Sequence, residues 1–327
     1  MRTRPLGRTG VRVTALGFGA AGIGNLFTPV RDDEAYTALD TAWDAGIRSF
    51  DTAPHYGLGL SERRLGEFLR SRPTGSYTLS TKVGRLLEPY DGGGDDVRNG
   101  FAVPATHRRV WDFSAAGVRR SLEDSLGRLG VDRIDVVYLH DPDHHAKQAF
   151  GEAYPELERL RGEGLIDAIG AGMNQARMLT RFVRDTDVDV VLCAGRYSLL
   201  DQGALPHLLP MASARGVSVV IGGVFNSGLL ADPRQGGTFD YTLAAPVMVR
   251  KALKWKKLAE RHGTTLRAAA LAFPFGHPAV TGVLVGTRSA AEVLDAVEQF
   301  DTPVPEAFWS EARARNLLAP GAPTPGP

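Results

Sequence analysis

The stretch Phe50-Asp51-Thr52-Ala53-Pro54-His55-Tyr56-Gly57 sets a carboxylate and a phenol five positions apart, just past a short apolar run. Two more polar residues close strand-like runs downstream. Lys82 ends Tyr77-Thr78-Leu79-Ser80-Thr81-Lys82, and His140 ends Ile134-Asp135-Val136-Val137-Tyr138-Leu139-His140. Polar groups at the carboxyl ends of successive strands are how a parallel α/β barrel gathers its chemistry on one face.

Strand and helix signals alternate on both sides of this stretch. Apolar runs predict strands over 13–18, 48–51, 77–82, 134–140, 166–170, 188–194, 217–221 and 280–285. Helical spacing predicts helices over 32–45, 61–69, 114–129, 154–163, 176–184, 205–215, 247–262 and 290–300, with a further one at 265–272. Val118, Leu122, Leu126 and Leu129, for example, share one helix face. A turn signal inside Leu6–Val13 predicts a small hairpin ahead of the series, and 305–315 a helix after it.

Eight strand–helix units in series exceed a regular doubly wound sheet and match a closed barrel. The expected fold is therefore α/β: a single (β/α)8 TIM barrel with an N-terminal β-hairpin and an extra C-terminal helix. No compositional break divides it, so residues 1–318 read as one domain. The Pro/Gly-rich residues 319–327 read as a disordered tail. The connections 84–113 and 222–245 exceed the usual length of about two to six residues. Both follow strands, so both should wall or cover the active face.

Composition excludes several classes. Thirty-eight basic residues balance 37 acidic ones at a net charge of +1, which gives no polyanion-binding surface, so no nucleic-acid partner is expected. Cys193 is the lone cysteine, which precludes an intrachain disulfide and suits a reducing compartment. The first residues lack the apolar run of a signal peptide. No stretch approaches the roughly 20 apolar residues of a membrane span. A cytoplasmic protein acting on a small molecule is expected; nothing in the chain sets its oligomeric state.

The polar set has a definite chemistry. A free phenol, with a pKa of about 10, is a poor acid or base at neutrality. A nearby ammonium should lower it, and Lys82 supplies one if the second and third strands are neighbours. Asp51 is placed to keep a buried Lys82 charged. His140 can hydrogen-bond a substrate oxygen without carrying charge. Such a set gives a proton to an oxygen as hydride reaches carbon, or takes it in reverse. No side chain carries hydride, so a nicotinamide is implied. Two other classes compete. A metal-dependent barrel hydrolase would use Asp51, His55, His140 and His144, but no closely spaced His-x-His or His-Glu-x-x-His set occurs, so no metal is expected. The other is a non-catalytic binding module.

With Leu6-Gly7-Arg8-Thr9-Gly10, Leu79-Ser80-Thr81-Lys82 and Tyr138-Leu139-His140-Asp141, the opening stretch resembles the aldo-keto reductase family over essentially the whole chain. That resemblance implies a catalytic tetrad of Asp51, Tyr56, Lys82 and His140, with NAD or NADP lying across the barrel mouth. Asp112-Phe113-Ser114-Ala115, Leu139-His140-Asp141-Pro142-Asp143 and Ala194-Gly195-Arg196-Tyr197-Ser198-Leu199-Leu200-Asp201 are similar to the sugar 1-dehydrogenase branch, which pyridoxal 4-dehydrogenases also resemble. Oxidation of a hemiacetal carbon, with Tyr56 as base, is what that likeness implies.

The resemblance also implies cofactor contacts at Gly19, Ala20, Asp51 and Asn174, and at Gly286, Thr287, Arg288 and Glu292 where the last major helix opens. A helix N-terminus with hydroxyls suits a phosphate. Glu292 would accept from a ribose 2′-hydroxyl and repel a 2′-phosphate, which favours NAD. Arg288 could fork onto a phosphate and keeps NADP open. Four positions depart from the family pattern: Met173 replaces a common serine, Ala194 a glutamine, Gly222 a stacking tyrosine and Ala296 an asparagine. His55, Trp111, Phe113 and Phe225 are the expected pocket residues, Phe225 also being a candidate to stack on the nicotinamide.

Overall fold

The computed structural model describes residues 1–326. Eight parallel strands close into a barrel in chain order: β1 Leu16–Gly19, β2 Ser49–Asp51, β3 Thr78–Val83, β4 Ile134–His140, β5 Ile166–Met173, β6 Val190–Ala194, β7 Ser218–Gly222 and β8 Val280–Gly286. The ring closes where β8 pairs with β1, from Val283 opposite Leu16 to Gly286 opposite Gly19. The α/β barrel expected from the strand–helix alternation is thus the fold observed.

The strands are rich in Val, Ile and Leu because both faces are buried. Inward, Val136, Tyr138, Ala168, Val190, Leu192 and Val220 fill the lumen. Outward, Leu79, Val137, Ile169, Val191 and Cys193 meet the helix layer, and Cys193 has no solvent exposure. Helix Ala115–Leu129 shows how sequence sets the boundaries. Ser114 Oγ accepts from Gly117 N–H at 3.0 Å to start it, and Gly130 at φ +66° ends it.

The hairpin Thr3–Pro5/Arg12–Thr14 carries Leu6, Val11 and Val13 into the lumen core, opposite the mouth. It also explains why β1 starts late. Residues 12–14 pair with 3–5 in the hairpin, and only 16–19 remain for the barrel. At the other end of the chain, helix Glu306–Ala314 buries Phe308 and Trp309, with Phe308 5.7 Å from Trp255.

Both long connections acquire structure. Residues 85–89 and 107–111 form an antiparallel hairpin with Arg85 opposite Trp111. A smaller hairpin joins Thr238–Phe239 to Thr242–Leu243. Residues 319–326 form no helix or strand, yet they are not detached. Ala319 N–H donates to Gln202 Oε1 at 2.9 Å, and Ala322 is buried. Prolines lose little backbone entropy on docking, so a composition that suggests disorder still rests against the barrel. Among the described residues, no helix is long and apolar enough to cross a membrane.

Candidate active site

Strands β2 and β3 are neighbours, with Asp51 opposite Ser80. Side chains alternate along a strand, so Lys82, two residues on, lies on the same face as Ser80. Lys82 Nζ donates to Asp51 Oδ2 at 2.6 Å and to the Thr52 carbonyl at 2.9 Å. Ser80 Oγ donates to the other carboxylate oxygen, Oδ1, at 2.7 Å. Lys82 and Asp51 are 2% and 3% exposed, so neither charge has water to fall back on. Burial works against the ammonium, but Asp51 and Tyr56 outweigh it, and the Lys82 pKa stands above the ordinary lysine value.

Tyr56 leaves a tight turn in which its N–H donates to the Ala53 carbonyl at 3.1 Å. Gly57 follows at φ +62°, and a Cβ there would lie 2.2 Å from the Gly24 carbonyl oxygen, so only glycine fits beside the phenol. Lys82 Nζ sits 4.8 Å from the Tyr56 ring centre. Its pull on the phenol pKa is downward, as the sequence suggests, but burial is the larger effect and the phenol ends above its ordinary value. The expectation of a lowered phenol pKa is corrected accordingly. His140 stands edge-on to Tyr56, with ring centres 6.0 Å apart at 88°. Burial first, then Arg85, Lys82, His55 and Arg109, hold its pKa well below the ordinary value. The imidazole is therefore neutral, and its buried Nδ1 has no partner.

The walls come from the two structured connections. His55 packs between Phe101 and His140, at 5.1 and 5.7 Å. Trp111, 43% exposed, ends the first hairpin with the Arg85 guanidinium 4.1 Å from its ring centre. Arg85 also pairs with Asp141. Phe113 differs from expectation: it is fully buried beneath Gly84 and Trp111 and supports the wall without facing the mouth. Phe225 is half-buried against the main core. Tyr241, at the tip of the second hairpin, lies 6.2 Å from Phe27 in the loop after β1.

Sequence patterns alone do not single out Ser80, Arg85, Phe101, Arg109, Asp141 or Tyr241. The alternation in 85–89 and 107–111 is a usable hairpin signal, and pairing those runs aims Arg85 at Trp111. Of Asp51, His55, His140 and His144, the rings of His55 and His140 meet, with centres 5.7 Å apart. Among the described residues, no three His, Cys, Asp or Glu side chains are grouped to hold a metal ion.

The candidate nucleotide groove runs from β1 to the end of β8. Ala20 N–H donates to the Asp51 carbonyl at 2.8 Å, tying the exit of β1 to the tetrad. A Cβ at Gly22 would lie 2.6 Å from the Thr287 carbonyl oxygen, so the loop after β1 runs against residues 287–288. Thr287 Oγ1 is buried without a partner, ahead of helix Ala290–Asp301, whose start Ser289 caps. An orphan hydroxyl at a helix N-terminus has hydrogen-bonding capacity that a phosphate oxygen satisfies. The residues therefore fit a dinucleotide. Arg288 is engaged by Glu292: its backbone N–H donates to Oε2 at 2.8 Å and its Nη2 to Oε1 at 2.5 Å. Asn174, beyond β5, accepts from Arg196 Nε through its carbonyl at 3.1 Å. Its side-chain amide makes no hydrogen bond among the described residues.

A buried lysine–carboxylate pair, a phenol and a neutral imidazole at one strand-end face can exchange a proton with a substrate oxygen. Comparison with known proteins agrees with that chemistry. The model of the aldo/keto reductase family matches residues 15–316. A D-threo-aldose 1-dehydrogenase from a Pseudomonas species is 43% identical, covering 97% of this chain and 97% of that protein. A pyridoxal 4-dehydrogenase from Microbacterium luteolum is 38% identical, covering 97% and 98%. The solved holo structure of an aldo-keto reductase from Bacillus halodurans superposes with a TM-score of 0.76 at 25% identity, over 98% of this chain and 97% of that one.

Proposed function

This chain belongs to the aldo/keto reductase family, and from that premise we propose that it oxidises the hemiacetal carbon of an aldose to a lactone. It is an NAD(P)-dependent oxidoreductase. A nicotinamide bound in the groove supplies the hydride acceptor. The observation that carries the proposal is the buried Asp51–Lys82 pair beneath Tyr56, with neutral His140 beside it.

In this reading Asp51 keeps Lys82 charged, and Lys82 stabilises the Tyr56 phenolate. Tyr56 takes the proton from the hydroxyl at C1 as that carbon gives up hydride. His140 holds the substrate oxygen by a hydrogen bond and, being neutral, does not compete for the proton. Gly19, Ala20, Asp51, Asn174, Gly286 and Thr287 would hold the dinucleotide. His55 and Trp111 would contact the sugar. Residues 1–318 act as one catalytic domain in a cytoplasmic enzyme with small-molecule partners only.

Initial rates against aldoses, pyridoxal and simple aldehydes, with both nucleotides, test this through the absorbance of reduced nicotinamide. Aldoses of the D-threo type should be the best substrates. Turnover of pyridoxal with none of any aldose would replace the reading by its alternative, which the 38% identical pyridoxal dehydrogenase supports.

NAD is the proposed partner, because Glu292 holds the Arg288 guanidinium and sets a carboxylate beside the phosphate end of the groove. Glu292→Gln frees Arg288 and removes that charge. The ratio of kcat/KM for NADP over NAD should rise roughly tenfold, about the worth of one charge-assisted hydrogen bond. An unchanged ratio takes Glu292 out of the account.

A further inference from the structure

We propose that Arg109 and Asp96 are positioning residues that fix the tautomer of His55 and make it a hydrogen-bond donor to an acceptor oxygen of the substrate. The role of the donor rests on the aldose reading above; the tautomer does not. Three segments distant in sequence meet to build the device. His55 precedes Tyr56, Asp96 lies in the loop between the strands of the first hairpin, and Arg109 sits on its return strand opposite Leu87.

The Arg109 side chain is 10% exposed and that of Asp96 4% exposed. The guanidinium grips the carboxylate with both ends, Nη1 to Oδ1 at 2.7 Å and Nη2 to Oδ2 at 2.6 Å. Asn99 Nδ2 donates to the same Oδ1 at 2.7 Å, so the carboxylate is itself held. Nη2 also donates to the His55 carbonyl at 2.8 Å, and Nε donates to His55 Nδ1. A guanidinium cannot give up its charge in a protein and has no acceptor atom. In the contact between Arg109 Nε and His55 Nδ1, therefore, the arginine donates and Nδ1 accepts. A neutral imidazole that accepts at Nδ1 carries its proton at Nε2.

The surroundings keep that imidazole neutral. Burial, then Arg85, Arg109 and Lys82, push the His55 pKa down to about 2. The other titratable rings facing it are Tyr56 at 6.1 Å and His140 at 5.7 Å. Phe101 meets the ring at 86° and restricts its rotation. Among the described residues Nε2 makes no hydrogen bond, so its proton is left for a ligand. A fixed N–H can give but not accept. It suits an oxygen with lone pairs to offer, such as the ring oxygen of a pyranose or furanose or the carbonyl oxygen of the lactone. A site that fixes such a donor discriminates against an analogue lacking the acceptor.

Long-range proton–nitrogen NMR of the full chain labelled with 15N-histidine reads the tautomer directly, with His55→Gln to assign the signals. His55 should show a protonated Nε2 and a bare Nδ1, without titrating through neutrality. A proton on Nδ1, or a charged ring in that range, overturns the proposal. Arg109→Lys keeps the charge but loses the planar fork. It should give mixed tautomers and raise KM for the aldose about tenfold, the worth of one hydrogen bond, with a smaller change in kcat. An unmoved KM together with an unmoved His55 spectrum overturns the proposal as well. Should that variant not fold, Asp96→Asn tests the same grip under the same two readouts. Because the spectrum needs no turnover, failure to oxidise any aldose would remove the function and leave the tautomer standing. A wrong tautomer would remove the positioning role alone.

Discussion

Replacing Tyr56 by phenylalanine should lower turnover by about 10²–10⁴ while nicotinamide binding persists, as for loss of a general acid–base group. The substitution removes one oxygen and keeps the ring, so packing against Phe101 and His140 survives. The Asp51–Lys82 pair is untouched. The parent should carry a matching pH signature. Burial holds the phenol above its ordinary pKa despite Lys82. Oxidation needs the phenolate, so its rate should climb with pH through the alkaline range. Reduction needs the phenol, so its rate should stay level through neutrality and fall only above the phenol pKa. In Tyr56→Phe both dependences should vanish from whatever activity remains. Steady-state rates in both directions, beside nucleotide titration by fluorescence, measure this. Turnover within about tenfold of the parent would end the assignment of Tyr56.

Asp51→Asn should cost about 3–5 kcal/mol of stability as well as most activity, because it strands a buried ammonium. Lys82 would keep the Thr52 carbonyl but lose its counter-ion. The sign of the pH effect follows from the pair. In the parent Lys82 is raised above its ordinary value, so its stabilising contribution is full below about 10.4 and lost as pH rises through the folded pKa. In the variant, Tyr56 alone opposes burial, and the lysine pKa falls. The deficit against the parent should then narrow at high pH, where a neutral amine suits the site. Adding Lys82→Met should recover part of the loss, since no charge remains to strand. Denaturant unfolding at several pH values reads all three. An unfolding midpoint equal to the parent's would refute the account of the pair.

The proposed tetrad is legible in the sequence because each member ends a strand or follows one closely, and strand ends follow from apolar runs bounded by polar residues. The barrel is legible for a similar reason: eight regular alternations leave few topologies open. Other features need geometry. Val13 and Thr14 read as the start of the barrel strand over 13–18, and only their pairing with Arg4 and Thr3 puts them in the hairpin instead. The sign of the Tyr56 shift is a contest between burial and Lys82, and burial is a property of the packed chain. Phe113 reads as a pocket aromatic until Gly84, with room for no side chain, lets it sink beneath Trp111. Arg109 reads as one of many surface cations. Its grip on Asp96 and His55 depends on the register of a hairpin inside a long connection.

Cys193, facing the helix layer from β6, has a practical consequence. Thiolates, not thiols, react with peroxides, maleimides and disulfides. Burial pushes this thiol up to about 12, and no solvent reaches it. The chain has no other cysteine. Oxidants and alkylating agents therefore find no reactive sulfhydryl, and catalysis should be indifferent to both. A cysteine introduced at an exposed position such as Thr242, on the second hairpin, would be the one site to take a spin label or fluorophore. The native protein is already a clean background for placing a single probe on that hairpin.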